Sequence, residues 1–216
     1  MVNAIKIVAA LRKKYPDAKI ALRFSNPLEL LVATILSAQC TDARVNEVTK
    51  TLFKKYRSAQ DYAQADLHAF EQEIRSTGFY KNKAKAKAIV YCCRKLVADF
   101  HGRVPDTLEA LTSLPGVGRK TANMVLGNAF AQAAIAVDTH VLRVSNRLGL
   151  AHATKADKVE EELMHQIPRN QWVAVGNALI LHGRETCTAK GPNCGACVLS
   201  ALCAWPEKAR YAASPR

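Results

Sequence analysis

The sequence has no long apolar run. The longest, Leu28 to Leu36, spans nine residues and contains Glu29, which is too short to cross a bilayer. The N-terminus reads as an amphipathic helix, with Ile5, Val8, Ala9 and Arg12 at helical spacing. It lacks the apolar region and small-residue cleavage site of a secretory signal. The expected location is the cytoplasm, with the nucleoid if the source is prokaryotic. Alternating strand patterns are missing too. "AAIAV" (133–137) has the composition of a strand but no partner. There is no solenoid repeat and no low-complexity tract. Acidic residues are scarce: 18 Asp and Glu face 31 Lys and Arg, a net charge of +13. Such an excess calls for a polyanionic partner, and nucleic acid suits it better than an anionic membrane surface. The seven cysteines are an odd number, which argues against a disulfide framework.

What is present reads almost entirely as helix. Asn26-Pro27-Leu28-Glu29 supplies an N-cap, a Pro at the first position and a Glu in the first turn. The segment after it is apolar all round and is expected to be buried. Thr41 or Asp42 opens a helix with Val45, Val48, Leu52 and Tyr56 on one face. Asp66 opens another, with Leu67, Phe70 and Ile74, ended by Gly78. A long helix follows, with Ile89, Cys93, Val97 and Phe100 inward and Gly102 at its end. Asp106 to Glu109 resembles a capping box. Later helices are expected at 139–148, from Thr154 to Pro168, and from Asn170 to His182, the last closed by Gly183. The final "YAASPR" reads as a frayed tail.

Leu114 to Phe130, "LPGVGRKTANMVLGNAF", is the turn and second helix of a hairpin. Pro115 breaks the first helix, and Gly116 and Gly118 permit positive φ or close approach. The N–H groups of Val117 and Gly118 are expected to point outward at a helix N-terminus, a ready anion site. On a basic protein that anion is a DNA phosphate, with Arg119 as its electrostatic neighbour. The alternative is an ordinary turn between two helices. Lys120 admits three readings: a solubilising surface residue, a second phosphate contact, or a nucleophile. The third gains from position, because a helix N-terminus disfavours an ammonium and so favours the amine that attacks carbon.

Asp138, in "AVDTH", precedes a helix, and its plain role is an N-cap. The helix starting at Arg119 rises ~18 Å. The seven residues after it span up to ~23 Å, so the chain can bring Asp138 back towards Lys120. An amine and a carboxylate at one cleft suit chemistry that develops positive charge. Cys187, Cys194, Cys197 and Cys203 fall within 17 residues. Four thiolates hold either Zn²⁺ or a [4Fe–4S] cluster, and spacing alone does not choose.

Four features together, "LSAQCTD", "LPGVGRKTAN", "AVDTH" and the spacing Cys-x6-Cys-x2-Cys-x5-Cys, resemble the helix-hairpin-helix DNA glycosylase superfamily and, within it, the endonuclease III family. They occur in family order and cover most of the chain. The resemblance implies an all-α, two-lobed fold. Residues 22–132 would form a six-helix barrel domain carrying the hairpin. Residues 1–21 and 133–216 would form an iron–sulfur cluster domain. It implies a monomeric glycosylase and abasic-site lyase acting on duplex DNA with oxidised pyrimidines or abasic sites. Lys120 would be its Schiff-base nucleophile and Asp138 its catalytic carboxylate. The four cysteines would bind a [4Fe–4S] cluster, and their loop would present Lys190 and nearby Arg184 to DNA. Gln39 matches a residue that fills the gap left by a flipped nucleotide. Phe79 stands at the wedge position, where Leu is more familiar. His140 would lie near the active site in a structural or phosphate-facing role.

Lys81, Lys83, Lys85 and Lys87 alternate along the start of one helix, either as a solvated face or as a phosphate-contacting edge. Rival readings of the whole are an adenine-mismatch glycosylase, whose family commonly lacks a lysine at position 120, a non-catalytic DNA-binding module, and a zinc-stabilised nucleic-acid binder.

Overall fold

Polar side-chain caps open many of these helices. A computed structural model of the chain describes residues 3–78 and 82–212. Helix α1 (Ala4–Lys14) is capped by Asn3, whose side chain accepts from the Lys6 N–H. Helix α2 (Pro27–Leu36) begins where Asn26 accepts from Glu29 N at 2.9 Å, and Glu29 in return accepts from Ser25 N at 2.6 Å. Thr41 caps α3 (Asp42–Lys55) and Asp66 caps α5 (Leu67–Glu73). Between them lies α4 (Ala59–Ala63), which the sequence pattern did not reveal. Its capping box joins Ser58 and Asp61. Helix α6 (Asn82–Phe100) is the longest described, followed by α7 (Leu108–Thr112) and α8 (Arg119–Ala129). Then come α9 (Thr139–Leu148), α10 (Ala156–Gln166), α11 (Trp172–Glu185) and α12 (Lys208–Ala212). Among the described residues there is no strand, and no helix is long and apolar enough to cross a membrane.

The chain divides into two compact units, Ala21–Ala131 and the pair of segments Met1–Ile20 and Gln132–Arg216. In the first, α6 is covered by α4 and α5, and α2 packs against α3, α6 and α8. Residues Leu30 to Leu36 are all buried, as expected for a segment apolar on every side. Tyr56 stacks on Tyr62 with ring centroids 4.8 Å apart, and Phe70 meets both edge-on. In the second unit, α11 packs against α1 and α9, and α10 against α9. Ile7, Leu11, Ile135, Val144, Val175 and Leu179 are fully buried there.

Several expected faces are rotated. On α1 the buried residues are Ile7, Val8 and Leu11, while Ile5 is 77% exposed. Both stripes have helical spacing, and only the position of α11 selects between them. On α3, Thr49 is buried and Val48 is half-buried. On α6, Leu96 is buried while Val97 and Phe100 are only partly covered. The cap before α7 is Thr107, which accepts from Ala110 N at 3.3 Å. Its third helical residue is therefore Ala110, and no Asp106–Glu109 box forms. Lys155, not Thr154, stands at the N-cap of α10. Gly183 lies inside α11, which runs to Glu185.

Candidate active site and cysteine pocket

The hairpin in Ala21–Ala131 turns on Gly116. Its φ is +76°, and a Cβ there would lie 2.6 Å from the Ala88 Cβ of α6. Both the turn and the close approach demand glycine. Val117 is buried and its N–H donates to Leu114 O at 3.1 Å. It does not point outward as expected, because the turn uses that donor itself. Gly118 is exposed and caps α8 with extended backbone, and nothing lies within 4 Å of where its Cβ would be. Arg119 and Lys120 follow, both exposed in the first turn of α8. Gln39 is exposed in the loop after α2, at a left-handed φ of 56°. Phe79 and Lys81 lie outside the described residues. Lys83 and Lys87 are exposed. Lys85 is 5% exposed, and its ammonium donates to Leu36 O at 2.7 Å and Thr77 O at 2.6 Å. It belongs neither to a solvated face nor to a phosphate edge.

In the other unit, Asp138 caps α9. Its Oδ1 accepts from both His140 N and Val141 N at 2.8 Å; Oδ2 takes neither donor. The residue is half-buried at the N-terminal end of α9. His140, also half-buried, is placed by Arg143, absent from the sequence reading, and by Gly183, expected there only as a helix stop. Arg143 points one guanidinium nitrogen at His140 Nδ1 at 3.2 Å, and the same nitrogen donates to Gly183 O at 2.8 Å. Its Nε donates to Cys187 O at 3.1 Å. A Cβ on Gly183 would come within 2.9 Å of the His140 Cβ, so α9 rests against α11 where α11 has no side chain. The signal for Arg143 was its spacing: it follows His140 by three residues, on the same face. Gly183 carried no such mark.

Cys187, Cys194, Cys197 and Cys203 line one pocket, with Leu148, Pro192 and Trp205 among its other walls. Among the described residues, no three His, Cys, Asp or Glu side chains form a cage for a single metal ion. The sulfurs are addressed by donors: Leu199 N reaches Cys197 Sγ at 3.4 Å and Arg147 reaches Cys187 Sγ at 3.4 Å. Burial pulls His182 down to about 4, so its ring is neutral near pH 7. Tyr15 O–H sits 3.3 Å from its Nδ1, and its Nε2 lies 3.5 Å from Cys197 Sγ. That arrangement fits a ring with the proton on Nε2. Arg147 also donates to Thr188 O at 2.8 Å and lies 3.9 Å from the Trp205 ring centroid. Lys208 donates to Cys203 O at 2.6 Å. Two cations thus border the four cysteines. Arg184 and Lys190 are exposed on either side of Cys187.

Comparison with known proteins shows the family. Residues 32–169 match the model of the HhH-GPD superfamily base excision DNA repair proteins. Endonuclease III of Synechocystis sp. is 50% identical over 202 residues, covering 93% of this chain and 91% of the relative. Endonuclease III of Escherichia coli is 41% identical over 204 residues, covering 94% and 96%. Among solved structures, a non-covalent endonuclease III–DNA complex aligns with a TM-score of 0.91 at 44% identity. It covers 99% of this chain and 100% of that one. The chain therefore belongs to the HhH-GPD superfamily of base excision DNA repair proteins and, within it, to the endonuclease III family.

Proposed function

We propose that this DNA glycosylase and abasic-site lyase removes oxidised pyrimidines from duplex DNA through a Schiff base at Lys120. The observation that carries the reading is the state of Asp138, a half-buried carboxylate with one oxygen engaged by its cap. Solved relatives support it, since one is a trapped covalent endonuclease III–DNA intermediate, 44% identical with a TM-score of 0.90.

The damaged nucleotide leaves the stack before chemistry. As the N-glycosidic bond breaks, the base departs with the bonding electrons and takes up a proton. Positive character at C1′ is stabilised by the Asp138 carboxylate. The neutral Lys120 amine attacks C1′, and Asp138 accepts the proton that nitrogen sheds. Opening of the sugar gives an imine of Lys120. Loss of a C2′ proton then drives electrons towards the C3′–O bond, and the 3′ phosphate leaves. Water finally cleaves the imine and regenerates the amine. Gly116, Gly118 and Arg119 hold the backbone phosphate, and Gln39 occupies the vacated position in the duplex. Arg184 and Lys190 add phosphate contacts, and the enzyme acts as a monomer in the cytoplasm. Cys187, Cys194, Cys197 and Cys203 would hold a [4Fe–4S] cluster in the unit that carries Asp138. Four cysteines are the usual ligand set of such a cluster, which needs no single-ion cage. When bound it fixes the loop from Cys187 to Cys194.

Borohydride trapping on duplexes with an abasic site tests the Schiff base, and Lys120→Ala must abolish the adduct. Asp138→Asn separates its two roles. Asparagine caps as well as aspartate, so a residue that only caps would tolerate the change. The variant is expected to keep its melting temperature while turnover falls by about 100-fold or more, the scale of a lost catalytic group. Retained turnover would refute the catalytic role.

A further inference from the structure

Lys85 is a buried cation that the chemistry above does not use. Burying an ammonium is costly unless its donors are satisfied. Here two of its bonds go to carbonyls at chain ends that need a partner. Leu36 is the last residue of α2, whose final carbonyls have no intrahelical donor and carry the negative end of the helix dipole. Thr77 is the last residue of a short 3-10 turn, Arg75–Thr77. Gly78 leaves room for the ammonium, since a Cβ there would stand 3.2 Å from Lys85 Nζ. Asn82, one turn earlier on α6, donates to Arg75 O at 2.9 Å and fixes the same turn. Three residues beyond Leu36, Gln39 holds a left-handed φ of 56°, a conformation that persists for a non-glycine residue only where its surroundings enforce it.

We propose that Lys85 is a positioning residue for lesion recognition: its ammonium locks the end of α2 to the 75–78 turn and thereby fixes the loop 37–41 that presents Gln39. The proposal rests on the reading of Gln39 given above. Lys85 acts through backbone carbonyls and does not meet DNA.

The test uses the full chain and two duplexes, one with a tetrahydrofuran abasic analogue and one undamaged. The readout is the dissociation constant for the undamaged duplex divided by that for the analogue. Lys85→Met removes the charge and the donors while keeping the length. It should lower the ratio about tenfold, as expected for losing hydrogen bonds from a charged group, and leave undamaged binding and its salt dependence unchanged. A phosphate contact would instead flatten the log–log salt slope by about 0.9, and equal weakening on both duplexes would indicate general damage; either result overturns the proposal. Gln39→Ala and the double variant complete a cycle. The double should lose no more discrimination than the worse single, and additive losses would overturn the coupling. A null effect of Gln39→Ala alone refutes the Gln39 reading, whereas the clamp stands or falls on Lys85→Met. Should Lys85→Met fail to fold, amine acetylation of the native enzyme still decides burial. Lys83 and Lys87 should react while Lys85 is protected, and equal labelling of all three would overturn the clamp.

Discussion

Gly183 of α11 and His140 of α9 interlock, with a would-be Cβ on the glycine 2.9 Å from the histidine Cβ. Real Cβ atoms do not approach so closely, so an added methyl must displace one helix from the other. Gly183→Ala is expected to cost about 1–3 kcal/mol of stability, the range for overpacking. It should also lower turnover more than duplex affinity, because the shift falls two residues from Asp138. Chemical denaturation and single-turnover kinetics check both. Unchanged kinetics would mean that this contact does not set the position of Asp138.

Arg143 ties the same helix to Gly183 O and Cys187 O. Arg143→Lys keeps the charge but cannot reproduce the planar fork. We expect turnover to fall with little change in affinity for undamaged duplex. Equal kinetics for the lysine variant would show that charge alone suffices.

Gly116 carries two constraints, a φ of +76° and a 2.6 Å approach to Ala88. Gly116→Ala should destabilise the enzyme and weaken DNA binding. Adding Ala88→Gly removes the steric part and leaves the backbone strain, so the double variant should recover part of the loss. No recovery would place the whole cost in the backbone.

Asp61 accepts backbone N–H groups from Arg57 and Ser58, each at 2.8 Å, and these bonds hold its carboxyl below the usual carboxylate range. A depressed folded value contributes stability above the unfolded pKa, and that stability is lost as pH falls through the folded value. Denaturant midpoints at neutral and acidic pH should therefore differ less in Asp61→Asn than in the parent. An equal difference would show that the box adds nothing.

The four-cysteine pocket predicts a protein with the broad visible absorbance of an iron–sulfur cluster, and replacing Cys197 with alanine should bleach it. A colourless protein carrying zinc would overturn that assignment.

Sequence alone determined the helical class and most helix starts, and it nominated the candidate chemistry-bearing residues. Caps are local: Asn26 needs only Glu29, and Asp138 only His140 and Val141. The hairpin glycines and cysteine spacing are likewise written in consecutive residues. Which stripe of a helix turns inward is not. Ile5 and Ile7 have equal claim to burial until α11 is placed. The fate of a donor is not local either, and Val117 spends its N–H inside the turn. Gly183 looked like a helix stop and proved to be a contact with His140, because only packing shows what a missing side chain admits. Lys85 is the sharpest case. In sequence it is one of four alternating lysines, and nothing local separates it from Lys83 or Lys87. The tertiary structure alone brings the carbonyls of Leu36 and Thr77 to its side of α6, and those partners make a buried ammonium tolerable there.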